Sequence, residues 1–400
     1  MSDDADVAIV GGGIIGLATA YAILGTNPVC RIVILEKERR LAAHQSGRNS
    51  GVLHSGIYYR PGSLKARLAT TGRATMASFC AAHGVPVEIC GKLVVAVDEP
   101  ECERMLALHA RAEANGVRTR VLEGDAIRGI EPHVRGVAAL QVPDAGLADF
   151  EEACSVLAEL IVGAGAEVRL EWPVDRFVTD GTRIRVQSER GDIAARCAIN
   201  CAGLFSDLLA RRSGEPVGLR IVPFRGEYHE VVPGRESLVK NMIYPVPDPT
   251  FPFLGIHLTR GIDGRVHAGP NAVLALAREG YSWRNLDWRE LGDLARFPGF
   301  RKLTRRYWRT GGHEIVRSLR VGAVARAVQT LVPEIRAADL VPTPAGVRAQ
   351  ALGRDGSLID DFVIHESKRA IHVLNAPSPA ATASLEIGRE IARKVHAHLA

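Results

Sequence analysis

No apolar run in the 400 residues is long enough to span a bilayer, so no membrane-crossing helix is expected. The start, Met1-Ser2-Asp3-Asp4-Ala5-Asp6, is acidic and runs at once into an apolar stretch, so neither a signal peptide nor a basic transit peptide is expected. Paired cysteines are also lacking. Cys30, Cys80, Cys90, Cys102, Cys154, Cys197 and Cys201 are scattered, and although Cys197 and Cys201 lie four apart, no second pair completes a metal site. We therefore expect reduced thiols, no metal and a cytoplasmic setting. There is no basic-aromatic platform, and a net charge of +5 is mild for nucleic-acid binding. A basic face toward a membrane or an acidic substrate accords better with that charge. Repeats and low-complexity tracts are absent. A hydrophobic content of 46% and charged content of 24% suit a globular protein, and the length exceeds one ordinary core, which suggests two domains interleaved in sequence.

The most informative stretch lies between Asp6 and Glu36. Val7-Ala8-Ile9-Val10 is too short for a helix and suits a strand buried on both faces. Gly11-Gly12-Gly13-Ile14-Ile15-Gly16 then fits G-x-G-x-x-G, a helical pattern follows (Ile14, Leu17, Ala18, Tyr21), and a second apolar run, Ile32-Val33-Ile34-Leu35, ends on Glu36. Each glycine serves a separate physical need. Gly11 permits the tight turn, Gly13 lets a pyrophosphate approach the backbone, and Gly16 lets helix and strand pack closely. The free N–H groups and positive dipole end of the helix hold the anion. Glu36, twenty residues beyond Gly16, stands where a carboxylate receives a ribose hydroxyl. A lone glycine fingerprint is weak, but strand, glycines, helix, strand and acid in this order predict a bound dinucleotide.

After it, residues 42–60 read as a cofactor-contacting loop, polar and punctuated by Gly47, Gly51 and Gly56. A helix runs through Leu64, Leu68, Met76 and Phe79 to Gly84. The pattern predicts a strand at 92–97, a helix at 99–115, and turns around Gly124, Gly129 and Pro132, all placed in a second domain. A helix at 150–164 and strands at 167–171, 183–188 and 193–201 lead to the small-residue turn Asn200-Cys201-Ala202-Gly203 and a helix at 204–213. From 220 to 340, strands at Ile221-Val222, Tyr228 to Val232, Phe253 to Thr259 and Arg265 to Gly269 precede helices near 287–297 and 312–330. At the end, the strand Ile371-His372-Val373-Leu374 enters Asn375-Ala376-Pro377-Ser378-Pro379, with a helix from Ala380.

With the fingerprint in place, Asn49-Ser50-Gly51-Val52-Leu53-His54-Ser55-Gly56-Ile57-Tyr58-Tyr59 resembles the D-amino-acid-oxidase-like superfamily. Gly91-Lys92-Leu93-Val94-Val95, Pro252-Phe253-Leu254-Gly255-Ile256-His257-Leu258-Thr259-Arg260, Gly269-Pro270-Asn271-Ala272-Val273-Leu274-Ala275 and Asn375-Ala376-Pro377-Ser378-Pro379-Ala380-Ala381-Thr382-Ala383-Ser384 narrow the resemblance to the L-2-hydroxyglutarate oxidase/dehydrogenase family, over about residues 6–398. It departs from the mitochondrial members, which carry a targeting extension; a bacterial enzyme is the better match. The resemblance implies non-covalent FAD, oxidation of L-2-hydroxyglutarate to 2-oxoglutarate, and electrons passed to a membrane quinone or to oxygen. The fold expected is α/β: a Rossmann-like FAD-binding domain (1–85, 146–219 and 341–400) interleaved with an α+β substrate domain on a mixed or antiparallel sheet (86–145 and 220–340). The FAD contacts expected are Gly11, Gly13, Ile14, Ile15, Gly16, Glu36 and Lys37, then Ser46, Asn49, Ser50, Gly51 and Val52, then Cys201, Ala202 and Gly203, and finally Ser378, Pro379, Ala380 and Ala381.

Oxidising a 2-hydroxy acid moves a hydride from C2 to flavin N5 and a proton from the hydroxyl to a base, and needs a cation for the carboxylate. His54, in the cofactor loop, is the first choice for the base, because imidazole titrates near neutrality; His257 is the second. Arg348 resembles the arginine with which superfamily members grip a substrate carboxylate, a bidentate pairing that lysine cannot form. A dicarboxylate needs a second anchor, for which Arg225, Tyr59 and Arg260 are candidates. A helix beginning near Ala380 would aim its positive end at the reduced flavin. The basic stretch Arg301, Lys302, Arg305, Arg306, Tyr307, Trp308, Arg309, with Arg317, Arg320 and Arg326 beyond it, is either a solvated face or a surface resting on anionic lipid. The alternative activity is an amine or amino-acid oxidase of the glycine-oxidase type, and the alternative class is a dinucleotide carrier without redox chemistry.

Overall fold

The computed structural model describes residues 4–248, 255–318 and 320–399, except the side chains of residues 310, 313, 316 and 317. Met1 to Asp3 and Pro252 to Leu254, which belong to the acidic start and to one of the family segments, lie outside the described residues, as does the Arg317 side chain of the basic stretch.

The first sheet is built on parallel strands in the order Glu167–Arg169, Ile32–Leu35, Asp4–Val10, Ile193–Asn200 and Ala370–Asn375. Val7, Ile9 and Ile34 face the helices Ile14–Thr26 and Ser384–Leu399, while Ala8, Val10, Val33 and Leu35 face Ile184, Val186 and Leu209. Burial on both sides explains why these strands read as unbroken apolar runs. Each fully buried Ile, Leu or Val contributes about 1.5–3 kcal/mol. An antiparallel hairpin, Val174–Asp180 with Arg183–Ser188, extends the sheet beyond Ile193.

The second sheet has nine strands and is mixed. Its spine is a long antiparallel ladder between Leu219–Val231 and Leu340–Gly353, with an irregularity between Gly226 and Tyr228. Lys92–Ala96 lies in the same sheet, parallel to Met242–Pro245. Val52–Leu53, Gly146–Ala148 and Val87–Glu88 form a small third sheet.

Several expectations shift. Leu340–Gly353, whose residues from 341 on are expected among the FAD-binding segments, pairs along the second sheet; its mixed composition (Pro342, Pro344, Arg348, Gln350) hides the strand, and the long partner imposes it. Arg120–Glu123 and the helix Asp125–Ile130 occupy the region that reads as turns, and Ala138–Val142, a strand the sequence reading does not name, follows them. The hairpin strand Val174–Asp180 carries no clear sequence signal, being mostly exposed. The C-terminal helix begins at Ser384, because residues 378–383 form a run of turns, so the expected helix start at Ala380 moves four residues on. The basic stretch at 301–309 lies inside Pro298–Ser318, two helical pieces that meet at a kink at Tyr307 (φ −118°), and the helix expected over 312–330 is divided between this element and Val321–Gln329. Among the described residues no helix is long and apolar enough to cross a membrane.

Candidate active site

The first strand delivers Val10 into the glycine loop. Gly11 adopts φ +111°, and a Cβ there would lie 2.3 Å from the carbonyl oxygen of Cys201, so the turn admits only glycine. A Cβ on Gly16 would lie 2.1 Å from the carbonyl oxygen of Gly11, which is the close helix-to-strand packing expected of the third glycine. Gly13 caps the helix Ile14–Thr26 without a side-chain cap, leaving its N-terminal end turned to the cavity. Ser46 Oγ accepts the N–H of Ile14 at 2.9 Å and joins the following loop to this terminus. Glu36 is buried, and its carboxylate accepts the N–H of Gly12 at 2.7 Å and of Glu38 at 2.9 Å. Each oxygen keeps a second lone-pair direction, so the acid clamps the loop and could still accept a ribose hydroxyl from the cavity it lines.

These residues open one end of a cavity of about 860 Å³. Gly11, Gly13, Ile14, Ile15, Glu36 and Lys37 line it, as do Ser46, Asn49, Ser50 and Val52. Cys201, Ala202 and Gly203 form another wall, and Ser378, Pro379, Ala380 and Ala381 another. Gly16 and Gly51 do not line the cavity: Gly16 packs behind Gly11, and Gly51 follows a turn in which Asn49 Oδ1 accepts its N–H at 2.9 Å. At the mouth, Glu38, His44 and Glu279 bring their ligand atoms within 4.8 Å of one another. The Lys37 ammonium already sits between the two carboxylates, 2.5 Å from Glu279, so a cation of the chain itself occupies the cluster. Cys201 is the cysteine on the cavity wall, and burial pushes its thiol up to about 12, which keeps it unreactive.

At the other end the side chains are of a different kind. His54 follows the short strand Val52–Leu53, and Ser378 Oγ lies 3.2 Å from its Nε2. Burial, and then the nearby positive groups Lys92, His257, Lys65 and Arg348, push His54 down to about 3. His257 heads the strand His257–Arg260, stacks on Tyr244 at 3.9 Å between ring centroids, and meets the Gly255 carbonyl through Nδ1 at 3.0 Å. That contact makes Nδ1 the donor and leaves Nε2 as acceptor. Burial again pushes this imidazole down, to about 3. Both rings are thus neutral bases at physiological pH. Arg348 reaches the cavity from the long ladder and hydrogen-bonds Tyr228. Tyr59 lines the same region, with the Lys65 ammonium 4.7 Å from its ring centre.

Two expected anchors fall elsewhere. Arg225 is 1% exposed, outside the cavity wall, paired with Glu227 at 2.9 Å and stacked over Trp283. In the ladder Arg225 lies opposite Val347 while Arg348 lies opposite Phe224, so the two arginines project from opposite faces. Arg260 is exposed at the far end of its strand. Sequence reasoning passes over Tyr58, Tyr228, Tyr244 and Lys92 as site residues. Only Lys92 carries a signal, a charged residue opening the otherwise apolar run Leu93-Val94-Val95-Ala96.

A glycine-cradled dinucleotide cleft, continuous with a pocket of neutral imidazoles and cations, defines a flavin-dependent oxidoreductase. The FAD dependent oxidoreductase family (DAO) matches residues 6–394, and the glycine cradle and Glu36 fit that cofactor. Over 387 residues the chain is 46% identical to an L-2-hydroxyglutarate dehydrogenase of Indibacter alkaliphilus, covering 96% of this chain and 97% of that one. It is 41% identical over 396 residues to the L-2-hydroxyglutarate dehydrogenase of Escherichia coli K12, covering 99% and 94%. An FAD-bound L-α-glycerophosphate oxidase from Mycoplasma pneumoniae shares the fold, with a TM-score of 0.82 and 23% identity over 99% of this chain and 95% of that one. The chain belongs to the L-2-hydroxyglutarate dehydrogenase family of FAD-dependent oxidoreductases.

Proposed function

We propose that this protein oxidises L-2-hydroxyglutarate to 2-oxoglutarate and passes the electrons to a quinone or to oxygen. The observation that carries this reading is the meeting of two neutral imidazoles, His54 and His257, with Arg348 in one cavity with the glycine cradle. The glycine cradle and Glu36 would hold FAD, which would supply the electron sink for the hydride that the substrate loses from C2. Arg348 holds the substrate's C1 carboxylate in a bidentate pair. His54 takes the hydroxyl proton at Nε2, the nitrogen facing Ser378 Oγ. His257 is the alternative acceptor, since its Nε2 is the free nitrogen. The apolar and aromatic walls exclude water, which strengthens each of these charge interactions. Two bases held neutral suit an alcohol, whose proton must be removed, better than an amine, which can be oxidised without a protein base.

In this reading residues 1–85, 146–219 and 341–400 serve the cofactor, and 86–145 and 220–340 the substrate, with Leu340–Gly353 lending Arg348 to the substrate side. The helix Pro298–Ser318 exposes Arg301, Lys302, Arg305, Arg306 and Arg309 beside Trp308, which is 66% exposed; this face supports peripheral contact with an anionic inner-membrane surface. The test of the activity is an anaerobic screen of 2-hydroxy and 2-amino acids for flavin bleaching. Reduction by L-2-hydroxyglutarate and not by glycine is expected; bleaching by amino acids alone would sink the reading, and a colourless protein would make it a carrier.

A further inference from the structure

Lys92 opens the strand Lys92–Ala96, every residue of which is buried, and is itself 3% exposed. A buried ammonium ordinarily has a carboxylate beside it. The other buried cations here do: Lys65 meets Asp360 at 2.7 Å, Arg278 meets Asp207 at 2.6 Å, and Arg225 meets Glu227 at 2.9 Å. Among the described residues the Lys92 ammonium meets no carboxylate. It rests instead over two tyrosine rings, 4.5 Å from the centre of Tyr58 and 4.8 Å from that of Tyr244. Ring faces attract a cation but offset only part of the cost of taking it out of water, and burial pushes the Lys92 ammonium down to about 7, so an anion beside it would favour its charged form.

The two tyrosines are incomplete in the complementary sense. Both line the cavity and both hydroxyls are buried; that of Tyr58 has no hydrogen-bond partner, and that of Tyr244 has only Thr259 beside it. The tyrosines stand on the cavity wall, and Lys92, which does not itself line the cavity, lies against their ring faces, so a cation lacking an anion adjoins the two hydroxyls at this wall. A carboxylate carries the negative charge and the lone pairs that the ammonium and the Tyr58 hydroxyl lack. Lys92 and Arg348 both lie near enough to His54 and His257 to disfavour protonation of either ring.

We propose that Lys92, with the Tyr58 and Tyr244 hydroxyls, forms the subsite for the second carboxylate of a dicarboxylate substrate whose first carboxylate is held by Arg348. The proposal rests on the reading of the substrate given above. It makes Lys92 the residue that selects a 2-hydroxy dicarboxylate over a 2-hydroxy monocarboxylate of the same chain length.

The test compares wild-type holoenzyme with Lys92→Met, which removes the charge while keeping most of the volume; Lys92→Gln replaces it if the methionine protein is not recovered yellow. Anaerobic flavin reduction is measured with L-2-hydroxyglutarate and with L-2-hydroxypentanoate, which lacks only the distal carboxylate. The apparent KM for L-2-hydroxyglutarate should rise about 10²-fold in the variant, while that for L-2-hydroxypentanoate stays within a few-fold. Equal losses for both substrates, or an unchanged KM for the dicarboxylate, overturn the proposal. Titration of glutarate and pentanoate into the flavin absorbance supplies a readout without turnover. Wild type should bind glutarate more tightly and the variant should lose the preference; no preference in wild type, or one retained in the variant, also overturns it. A wild type that prefers glutarate yet is not reduced by L-2-hydroxyglutarate would refute the proposed reaction and leave the Lys92 subsite standing.

Discussion

Thr382 and His54, 328 positions apart in the chain, are joined by a hydrogen bond: the His54 backbone N–H donates to Thr382 Oγ1 at 3.1 Å. Thr382 Oγ1 in turn donates to the Val52 carbonyl at 3.2 Å, so one hydroxyl splints both sides of Leu53. The turn at 378–382 that carries it also brings Ser378 Oγ to His54 Nε2. The C-terminal segment therefore sets the position of His54, the base in the proposed reaction, which the N-terminal loop supplies. Replacing Thr382 with Val keeps the shape and leaves a buried N–H and a carbonyl unpaired, at about 1–3 kcal/mol each. We expect a lower melting temperature and slower flavin reduction at full FAD content, both restored by Thr382→Ser. Unchanged reduction kinetics in Thr382→Val would show that the splint does not position His54.

His54→Gln keeps hydrogen-bonding capacity but removes the base. A loss of about 10²–10⁴ in the reductive half-reaction is expected. The pH profile adds a signed expectation. Because His54 and His257 are pushed down to about 3, both stay unprotonated, and the wild-type rate should not fall on crossing pH 6.5 but only as pH approaches the lower value. Stability follows the same sign: the unfolded chain takes up protons near pH 6.5 that the folded chain refuses, so stability falls between about pH 6.5 and 3. Stopped-flow traces and melting curves across that window check both; an acid limb centred at 6.5 would contradict the burial argument.

Arg348→Ala should raise the apparent Michaelis constant for L-2-hydroxyglutarate about 10²-fold, since a desolvated carboxylate loses its partner. Arg348→Lys should recover only part of this, lacking the bidentate geometry. Arg225→Met, on the opposite face and paired with Glu227, should alter stability and leave substrate affinity largely intact. Steady-state kinetics on the three variants decide; a normal constant in Arg348→Ala would relocate the anchor.

Glu36→Arg should purify folded but depleted of FAD, because it removes the ribose acceptor and also the clamp on Gly12. Charged hydrogen bonds of this kind contribute about 1.5–3 kcal/mol each. The absorbance ratio at 450 and 280 nm, relative to wild type, measures the depletion. A full flavin complement in the variant would refute the assignment.

The exposed basic face of Pro298–Ser318 should bring the protein down with vesicles containing phosphatidylserine, and added salt should release it. Reversing the charge of Arg301, Arg305 and Arg309 should abolish the association without affecting flavin reduction in solution. Equal sedimentation with neutral vesicles would argue for a merely solvated face.

The cofactor half of the site is legible in the sequence because its information is local. Strand, glycine spacing, helix and terminal acid lie within residues 6–36, and Gly11 is required by its contact with the Cys201 turn and Gly16 by its contact with Gly11. The sequence also singles out His54, His257 and Arg348, from residue chemistry and from the family resemblance. It does not tell that Arg225 turns away from the cavity, because which face an arginine takes depends on the register of a ladder between strands distant in the chain. Nor does it tell that Lys92 lacks an anion, or that Thr382 holds His54. Whether a buried charge is paired, and which backbone a hydroxyl splints, depends on partners brought from distant segments, and only the packed tertiary structure brings them.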